Sequence, residues 1–525
     1  MRLYNARVHD ENDNLVPNIL VEINENGKVE QLSRQSGYVP EEGDYDCNGY
    51  VLLPSYMDCA VSVPGCEVFK TFGINLTDCN SIEDYLSMIS ENGEDIGIRG
   101  YGFSEYILGE DGAVRIKNLM DSMYPSTPCY IFADDLTCVL VNNAVLVDAK
   151  KYFYIGAEEY KTGLLNMQQL YTLRKYSDIF DFAPDELRIG VMSFQGEMLS
   201  HGITAVRAID FLGDINVLKT VYELSNNKVW ALDMIVNVPV YPFESEEDML
   251  NRYMEYKQYE NSKIHVIGLS MTLDGSIDSA QAALSTPYND LGEWRGTVVW
   301  NINKAYAVAK KFYSHGIDIN INARGDYAVS VAVDILSALR GEYDIQPANR
   351  IITHAYLMSQ LDMQTCASSG IVVCVEPGSV PYANTFYEGD KRMLGERVYI
   401  QYPVGKLIYK GIKILAGSNN PEQLDVSPIS GVYKATHRTN ADDATSYHVT
   451  QGYKDNALEV FGMLDRYGEI EVGKYASFVL VDKDIVRMNE ALLQNVNYLA
   501  TFIDGVVVWE SDKLAELCLQ REDSE

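Results

Sequence analysis

The chain has 525 residues, of which 47% are hydrophobic and 22% are charged. This composition is typical of a globular protein and excludes a disordered chain. The 75 acidic residues outnumber the 42 basic ones, which gives a net charge of −33. A surface this negative repels phosphate backbones and anionic lipids, so we expect neither nucleic acid nor a membrane among its partners.

The absence of targeting signals and the cysteine usage predict a cytoplasmic protein. No apolar stretch approaches the roughly 18 residues of a transmembrane helix, and the first residues lack the apolar core of a signal peptide. The nine cysteines contain no Cys-x-x-Cys pair. We therefore expect reduced, mostly buried thiols in a cytoplasmic protein, including Cys59, rather than a disulfide framework or a zinc ribbon.

Both ends of the chain read as β-structure. Alternating or apolar segments are joined by turn signals such as Asn26-Gly27 and Asp504-Gly505. The predicted strands are 19–23, 28–32, 477–482, 499–503 and 506–509. We predict one small composite β-sandwich domain, built from residues 1–53 and from residues 441–525, the latter beginning with a helix.

The middle of the chain repeats a helix, a glycine, an isoleucine and an apolar strand. The four clearest copies are His201-Gly202-Ile203, His315-Gly316-Ile317, Ser369-Gly370-Ile371 and Lys410-Gly411-Ile412. Glycine accepts the left-handed conformation that ends a helix, and buried parallel strands are apolar throughout. The pattern favours an α/β fold with a (β/α)8 TIM-like barrel at residues 54–440 over a doubly wound sheet. Residues 65–200 read as a large insertion near the barrel mouth.

Polar residues follow several of the predicted barrel strands, at the end where TIM barrels carry their functional residues. The strand at 317–321 leads to Asn322, and the strand at 350–353 leads to His354. Glu376 follows the strand at 371–375, and Asn419 follows the strand at 412–416. An earlier predicted strand, from Val51 to Met57, leads to Asp58.

At these positions the sequence resembles the amidohydrolase superfamily, in its branch of N-substituted amide hydrolases with a large insertion. The matching blocks follow in the expected order over roughly residues 45 to 510. They are Gly49-Tyr-Val-Leu-Leu-Pro54 with Met57-Asp58, Leu273-Asp274-Gly275-Ser276 with Ala282-Ala283-Leu284 and Pro287-Tyr288, Ala323-Arg-Gly325-Asp326, Arg350-Ile-Ile-Thr-His354, Gly417-Ser418-Asn419-Asn-Pro421 and Gly468-Glu-Ile-Glu-Val-Gly473-Lys474-Tyr-Ala476. The resemblance implies a metal-dependent hydrolase acting on non-peptide carbon–nitrogen bonds, with a (β/α)8 barrel and a composite β-sandwich.

The sequence departs from this family at the implied metal site. Ala60 and Ser62 stand at the positions of the His-x-His pair, Ser270 at that of the bridging lysine, Asn322 at that of a later histidine, Asn419 at that of the metal-binding catalytic aspartate, and Thr137 at that of a substrate-side histidine. Only His354 remains of the implied histidines. Since zinc needs about three deprotonated protein ligands, we expect no metal and no ordinary metal-dependent hydrolysis.

Three hypotheses follow. The first is a pseudoenzyme that binds a small molecule in the barrel pocket. The second is an active amide hydrolase with a rearranged site, either metal-free or with one divalent metal near His354. The third is a regulatory or structural subunit of an active relative, and a homo-oligomer is compatible with all three. The predicted pocket residues are Asp58, Ala60, Ser62, Ser270, Asp274, Asn322, His354, Glu376 and Asn419. Within this set we expect Asp274, like Asp326, to hold a loop.

Overall fold

The structure is a computed structural model, and it describes residues 1–93, 97–211, 215–342, 348–381, 388–422, 424–438, 442, 444–464, 466–486 and 488–514. Its centre is a parallel β-barrel whose neighbouring strands follow one another in chain order. The eight barrel strands are Tyr56–Val63, Ile203–Phe211, Asp233–Val240, Ile264–Thr272, Asp318–Ala323, Arg350–His354, Val372–Val375 and Ile414–Ala416. The (β/α)8 barrel predicted from the sequence is thus confirmed.

The barrel closes between its first strand and the segment that follows its eighth. Val61 forms a parallel bridge with Asn420, and the amide of Ser62 donates to the carbonyl oxygen of Asn420 at 2.9 Å. The amide of Asn419 also donates to the carbonyl oxygen of Ala60, at 2.8 Å. These bonds bring residues from opposite ends of the sequence to the same part of the mouth.

Helices surround the barrel and alternate with its strands. They are Pro184–Ser200, Ile215–Asn226, Glu246–Lys257, Ile302–Tyr313, Asp326–Glu342, Gln360–Ser369, Glu388–Leu394, Val404–Tyr409, Pro428–Thr436, Ser446–Gly452 and Asp455–Val460, with short 3-10 helices at Pro377–Ser379 and Gly395–Ile400. The four glycines predicted to end helices, Gly202, Gly316, Gly370 and Gly411, have φ angles between +66° and +76°. Each adopts the left-handed conformation that motivated the prediction.

The insertion forms a layer of its own with a five-stranded sheet. In spatial order its strands are Leu164–Leu165, Val139–Val141, Tyr130–Ala133, Arg99–Phe103 and Ile74–Asn75. Its helices are Glu67–Phe72, Ile82–Asn92, Glu105–Met123, Asn143–Ala149, Ala157–Thr162 and Met167–Tyr176. Buried aromatic rings such as Phe69, Phe132 and Phe180 pack against one another inside it.

Strands from both ends of the chain pair in one terminal sheet, as predicted. They are Arg2–His9, Leu15–Ile23, Val29–Arg34, Tyr45–Asp46, Val51–Pro54, Phe478–Val481, Tyr498–Ile503 and Val506–Glu510, with a 3-10 helix at Glu490–Asn495. The prediction of a single strand from Val51 to Met57 is wrong. Val51–Pro54 pairs with Phe478–Val481 in the terminal sheet, and the barrel strand begins at Tyr56, so Asp58 lies within a strand and not at its end.

None of the helices within the described ranges combines the length and the apolar character needed to cross a membrane.

Candidate active site at the barrel mouth

A small cavity lies at the carboxyl ends of the barrel strands, where the insertion meets the barrel. It offers about 40 Å³ to the centres of water molecules, which is room for about three waters. The barrel and the loop after its eighth strand line it with Ser62, Ile209, Asp210, Thr272, Asn322, Arg324, His354, Asn419, Pro421 and Glu422, and the insertion lines it with Asp135, Leu136, Thr137 and Tyr171. Four of the predicted pocket residues therefore line it: Ser62, Asn322, His354 and Asn419.

His354 ends the sixth barrel strand, and its imidazole lies against a buried carboxyl group. Its Nδ1 is 3.2 Å from Oε1 of Glu376, and the two residues are 3% and 1% exposed. Burial, followed by the charges of Arg324 and Arg207, holds the pKa of His354 well below its usual range. Burial, followed by the charge of Glu422, raises the pKa of Glu376 well above its usual range. Both shifts favour the uncharged forms, an imidazole beside a carboxylic acid.

Asp58 lies below the cavity, fully buried within the first barrel strand. Its Oδ1 accepts from the amides of Ala60, at 3.1 Å, and Ser418, at 2.9 Å. Its Oδ2 has no hydrogen-bond partner within the described ranges. Burial raises the pKa of Asp58 to about 6, and the hydrogen bonds from Ser418 and Ala60 oppose this rise. Asp58 thus ties the first strand to the segment after the eighth, while Ala60 contributes no functional group.

Neutral amides and hydroxyls occupy the fourth and fifth strands beneath the mouth. Oγ of Ser270 accepts from Nδ2 of Asn322 at 3.1 Å and from Nδ2 of Asn320 at 3.2 Å. Nδ2 of Asn322 also donates to Oγ1 of Thr272 at 3.1 Å, and its Oδ1 accepts from Asn320 at 2.8 Å. Both polar atoms of the Asn322 amide are therefore engaged in a network of uncharged groups.

Arg207 places a guanidinium inside the barrel. It lies in the second strand, fully buried, and its Nη1 donates to Oδ1 of Asn320 at 3.0 Å while Nη2 donates to Oγ1 of Thr353 at 2.8 Å. Nε donates to the carbonyl oxygen of Cys59. No carboxylate oxygen of a described residue lies within 4.0 Å of this guanidinium. Asn320 precedes the cavity-lining Asn322 along the fifth strand, and Thr353 precedes the cavity-lining His354 along the sixth. Arg207 therefore lies below the cavity as a fixed cation.

A second polar cluster joins the fifth, sixth and eighth strands at the mouth. Oε2 of Glu422 accepts from Nη2 of Arg324 at 3.0 Å and from Nδ2 of Asn419 at 2.6 Å. Oε1 of Glu422 accepts from the hydroxyl of Tyr356 at 3.1 Å. Asn419 has a φ of +58°, in the left-handed region that asparagine tolerates better than most residues. At the position implied for a catalytic base, Asn419 thus presents an amide that donates to a carboxylate.

Asp274 lies to the side of the cavity and holds two loops. Its Oδ1 accepts from the amide of Arg324 at 2.9 Å. Its Oδ2 accepts from the amides of Gly325 at 2.9 Å and Ala283 at 2.8 Å. The side chain is fully buried, and this burial raises its pKa to about 6 against the three backbone hydrogen bonds. Asp274 therefore positions the segment that carries Arg324.

The residues present do not fit the metal that the resemblance implies. A zinc site needs about three protein donors with free lone pairs. Ala60 has no donor atom, Oδ1 of Asn322 already accepts from Asn320 at 2.8 Å, and Asn419 offers only a neutral amide oxygen. Throughout the described residues there is no group of three or more His, Cys, Asp or Glu side chains able to hold an ion. His354 and Glu376 form only a pair, with two arginines nearby.

Five charged residues of the site were not predicted as pocket residues: Asp135, Asp210, Arg207, Arg324 and Glu422. Arg324 directly follows the fifth strand, so its position at a strand end was a usable signal. Arg207 is the one charged residue of the stretch Ile203–Ala208, and a charged residue inside a buried parallel strand needs partners. Glu422 had little local signal, since two of its three partners, Arg324 and Tyr356, lie 98 and 66 residues away.

Comparison with known sequences identifies the family of this fold. The family model described as "Amidohydrolase family" matches residues 67–509. The chain is 21% identical over 516 residues to "Putative amidohydrolase YtcJ" of Bacillus subtilis (strain 168), covering 92% of this chain and 93% of that protein. It is 24% identical over 226 residues to the N-substituted formamide deformylase of Arthrobacter pascens, covering 41% of each chain.

Solved structures support the same architecture. An uncharacterized metal-dependent hydrolase from Pyrococcus horikoshii OT3 superposes with a TM-score of 0.70 at 17% identity, covering 93% of this chain and 98% of that chain. A second such hydrolase, from Pyrococcus furiosus, gives a TM-score of 0.68 at 17% identity, with coverages of 92% and 99%. At these identities the likeness concerns the fold. Because the family model spans most of the barrel and the C-terminal β-structure, the chain belongs to the amidohydrolase family.

Proposed function

We propose that this protein binds a small polar molecule at the barrel mouth and does not carry out metal-dependent hydrolysis. The observation that carries the proposal is the chemistry at the strand ends. Uncharged amides and hydroxyls stand where metal ligands are implied, and Asn322 is fully engaged with its neighbours. Beneath them, the buried cation Arg207 repels a second positive charge.

The same residues account for the loss of ordinary catalysis. A metal ion in such a site activates water and polarises the substrate carbonyl. A positioned carboxylate base contributes a further factor of about 10²–10⁴ in rate. Asn419 cannot accept a proton as a carboxylate does, and its amide nitrogen is held by Glu422 at 2.6 Å. We infer that the fold kept the pocket of an amidohydrolase and lost its hydrolytic centre.

Metal analysis tests this proposal. The full chain is expressed in medium supplemented with zinc and manganese, purified without chelators, and measured by elemental mass spectrometry. We expect metal far below one ion per chain, and no hydrolysis of N-formyl or N-acyl amides with or without added zinc. One tightly held ion per chain, together with amide hydrolysis that a chelator abolishes, would disprove the proposal.

A second candidate is a metal-free acid–base enzyme that uses His354 with Glu376. Two observations favour it: the 3.2 Å contact between the two side chains, and the φ of +81° at His354. Strained backbone of this kind is concentrated at functional sites. Metal-independent turnover of an amide that the variant His354→Asn loses would support this candidate over a pure binding role.

A further inference from the structure

The lining of the cavity at the barrel mouth carries opposite charges, Arg324 from the barrel and Asp135 from the insertion, and we call these two sides its barrel end and its insertion end. On the barrel side, Arg324 lines it with a side chain that is 5% exposed. The Nε–H of Arg324 has no hydrogen-bond partner among the residues that the structure describes, although Nη2 is paired with Glu422 at 3.0 Å. A buried N–H without a partner is costly and marks a place where an acceptor is missing.

The positive charge of this end is not confined to Arg324. Arg207 lies below it, with neutral hydrogen-bond acceptors only. The effect of both arginines is felt at His354, where burial and then their charges lower the pKa of the imidazole. The barrel end of the cavity therefore favours an anionic group or a strong acceptor.

The insertion provides the opposite charge. The carboxylate of Asp135 lines the cavity, and among the described residues its one hydrogen-bond partner is Thr137, which donates through its amide at 2.8 Å and its hydroxyl at 2.7 Å. No cationic side chain of the described ranges lies within 4.0 Å of Asp135. The other two carboxylates of the lining are neutralised, Asp210 by Arg174 at 3.2 Å and Glu422 by Arg324. Asp135 is therefore free to pair with a cation from a ligand.

The size of the cavity limits the ligand. The cavity volume of about 40 Å³ has room for about three water molecules, which corresponds to a group of a few heavy atoms. Such a group can carry one anionic and one cationic end only if the two are separated by a single carbon or little more.

We propose that this cavity binds the head group of a small α-amino acid as a zwitterion, with its carboxylate toward Arg324 and its ammonium toward Asp135. This inference rests on the proposed function, because a metal ion in the mouth would take the place of the ligand carboxylate. The expected ligands are the smallest amino acids, and glycine is the first probe.

Calorimetric titration of the metal-free full chain tests the proposal with four matched probes: glycine, acetate, methylammonium and acetamide. Glycine satisfies both ends of the cavity, acetate and methylammonium satisfy one each, and acetamide carries no charge. Since a charge-assisted hydrogen bond is worth about one factor of ten or more, we expect glycine to bind at least about tenfold more tightly than each of the other three.

Two substitutions assign the ends. Asp135→Asn should remove the advantage of glycine over acetate, and Arg324→Lys, which keeps a charge for Glu422 but lacks Nε, should weaken glycine and acetate together by about tenfold. Two variants serve as matched controls. The first is Asp482→Asn, since the Asp482 carboxylate likewise accepts two hydrogen bonds from one residue, Asn497. The second is Arg99→Lys, since Arg99 is likewise paired with a glutamate, Glu186. Both controls should bind glycine like the wild type.

The inference is wrong if acetate, methylammonium or acetamide binds as tightly as glycine, or if the folded, metal-free protein does not bind glycine at all. Either result leaves the proposed function standing. A stoichiometric metal ion in the same preparation would instead overturn the proposed function, so the two failures are distinguishable.

Discussion

The role assigned to Asp274 makes a prediction that depends on geometry alone. Its carboxylate accepts three backbone amides, those of Ala283, Arg324 and Gly325, at 2.8 to 2.9 Å. Substituting Asp274→Ala removes all three acceptors from a fully buried position.

The magnitude follows from counting the donors that lose their acceptor. Each buried amide without a partner costs about 1–3 kcal/mol, so partial relaxation of the loops leaves about 3–6 kcal/mol for Asp274→Ala. Asp274→Asn keeps one oxygen for two of the amides and turns an NH₂ toward the third, which gives about 1–3 kcal/mol. The matched control is Asp326→Asn. The Asp326 carboxylate accepts from the amide and the hydroxyl of Ser285 in exposed contacts, and asparagine keeps one acceptor oxygen, so this substitution should cost less than about 1 kcal/mol.

Equilibrium unfolding in urea at neutral pH, followed by tryptophan fluorescence, measures these differences. We expect the order wild type, Asp326→Asn, Asp274→Asn and Asp274→Ala, from most to least stable. If the unfolding free energy of Asp274→Ala lies within about 1 kcal/mol of the wild-type value, the three amides find other partners and Asp274 does not hold these loops.

Three further predictions concern the barrel interior. Asn419→Asp alone should not create amide hydrolysis, since Ala60 and Asn322 still supply no metal ligand; hydrolysis by this single variant would contradict the reasoning. Burial raises the pKa of Asp58 from 3.8 to about 6, so the folded state holds this proton more tightly than the unfolded state does. As the pH rises from below 4 to above 6, the wild type should therefore lose up to about 3 kcal/mol of unfolding free energy relative to Asp58→Asn. An equal pH dependence of the two proteins would refute this. Arg207→Lys should lower the unfolding free energy by about 2–4 kcal/mol, because an ammonium cannot reach acceptors on three strands at once. A change below about 0.5 kcal/mol in urea unfolding would show that the planar guanidinium of Arg207 is unimportant for stability.

Local patterns in the chain were sufficient for the barrel. Each helix–glycine–strand unit is specified by neighbouring residues, and glycines such as Gly202 and Gly411 adopt the left-handed angles that end a helix. Strand ends are equally readable, so the sequence alone predicts His354 and Asn419 at the mouth. The exception was Asp58, because apolar residues on both sides of Ser55 gave no sign that one run of β-structure serves two different sheets.

The sequence by itself determined the barrel, the two-ended β domain and the absence of family ligands at Ala60, Asn322 and Asn419. Only the tertiary structure decided what replaces them: the guanidinium of Arg207 inside the barrel, and Glu422 bound to Arg324 across 98 residues of chain. The physical reason is that helix ends and strand patterns are set by residues close in sequence. A buried charge is instead stabilised by partners that only the closure of the barrel brings within hydrogen-bonding distance.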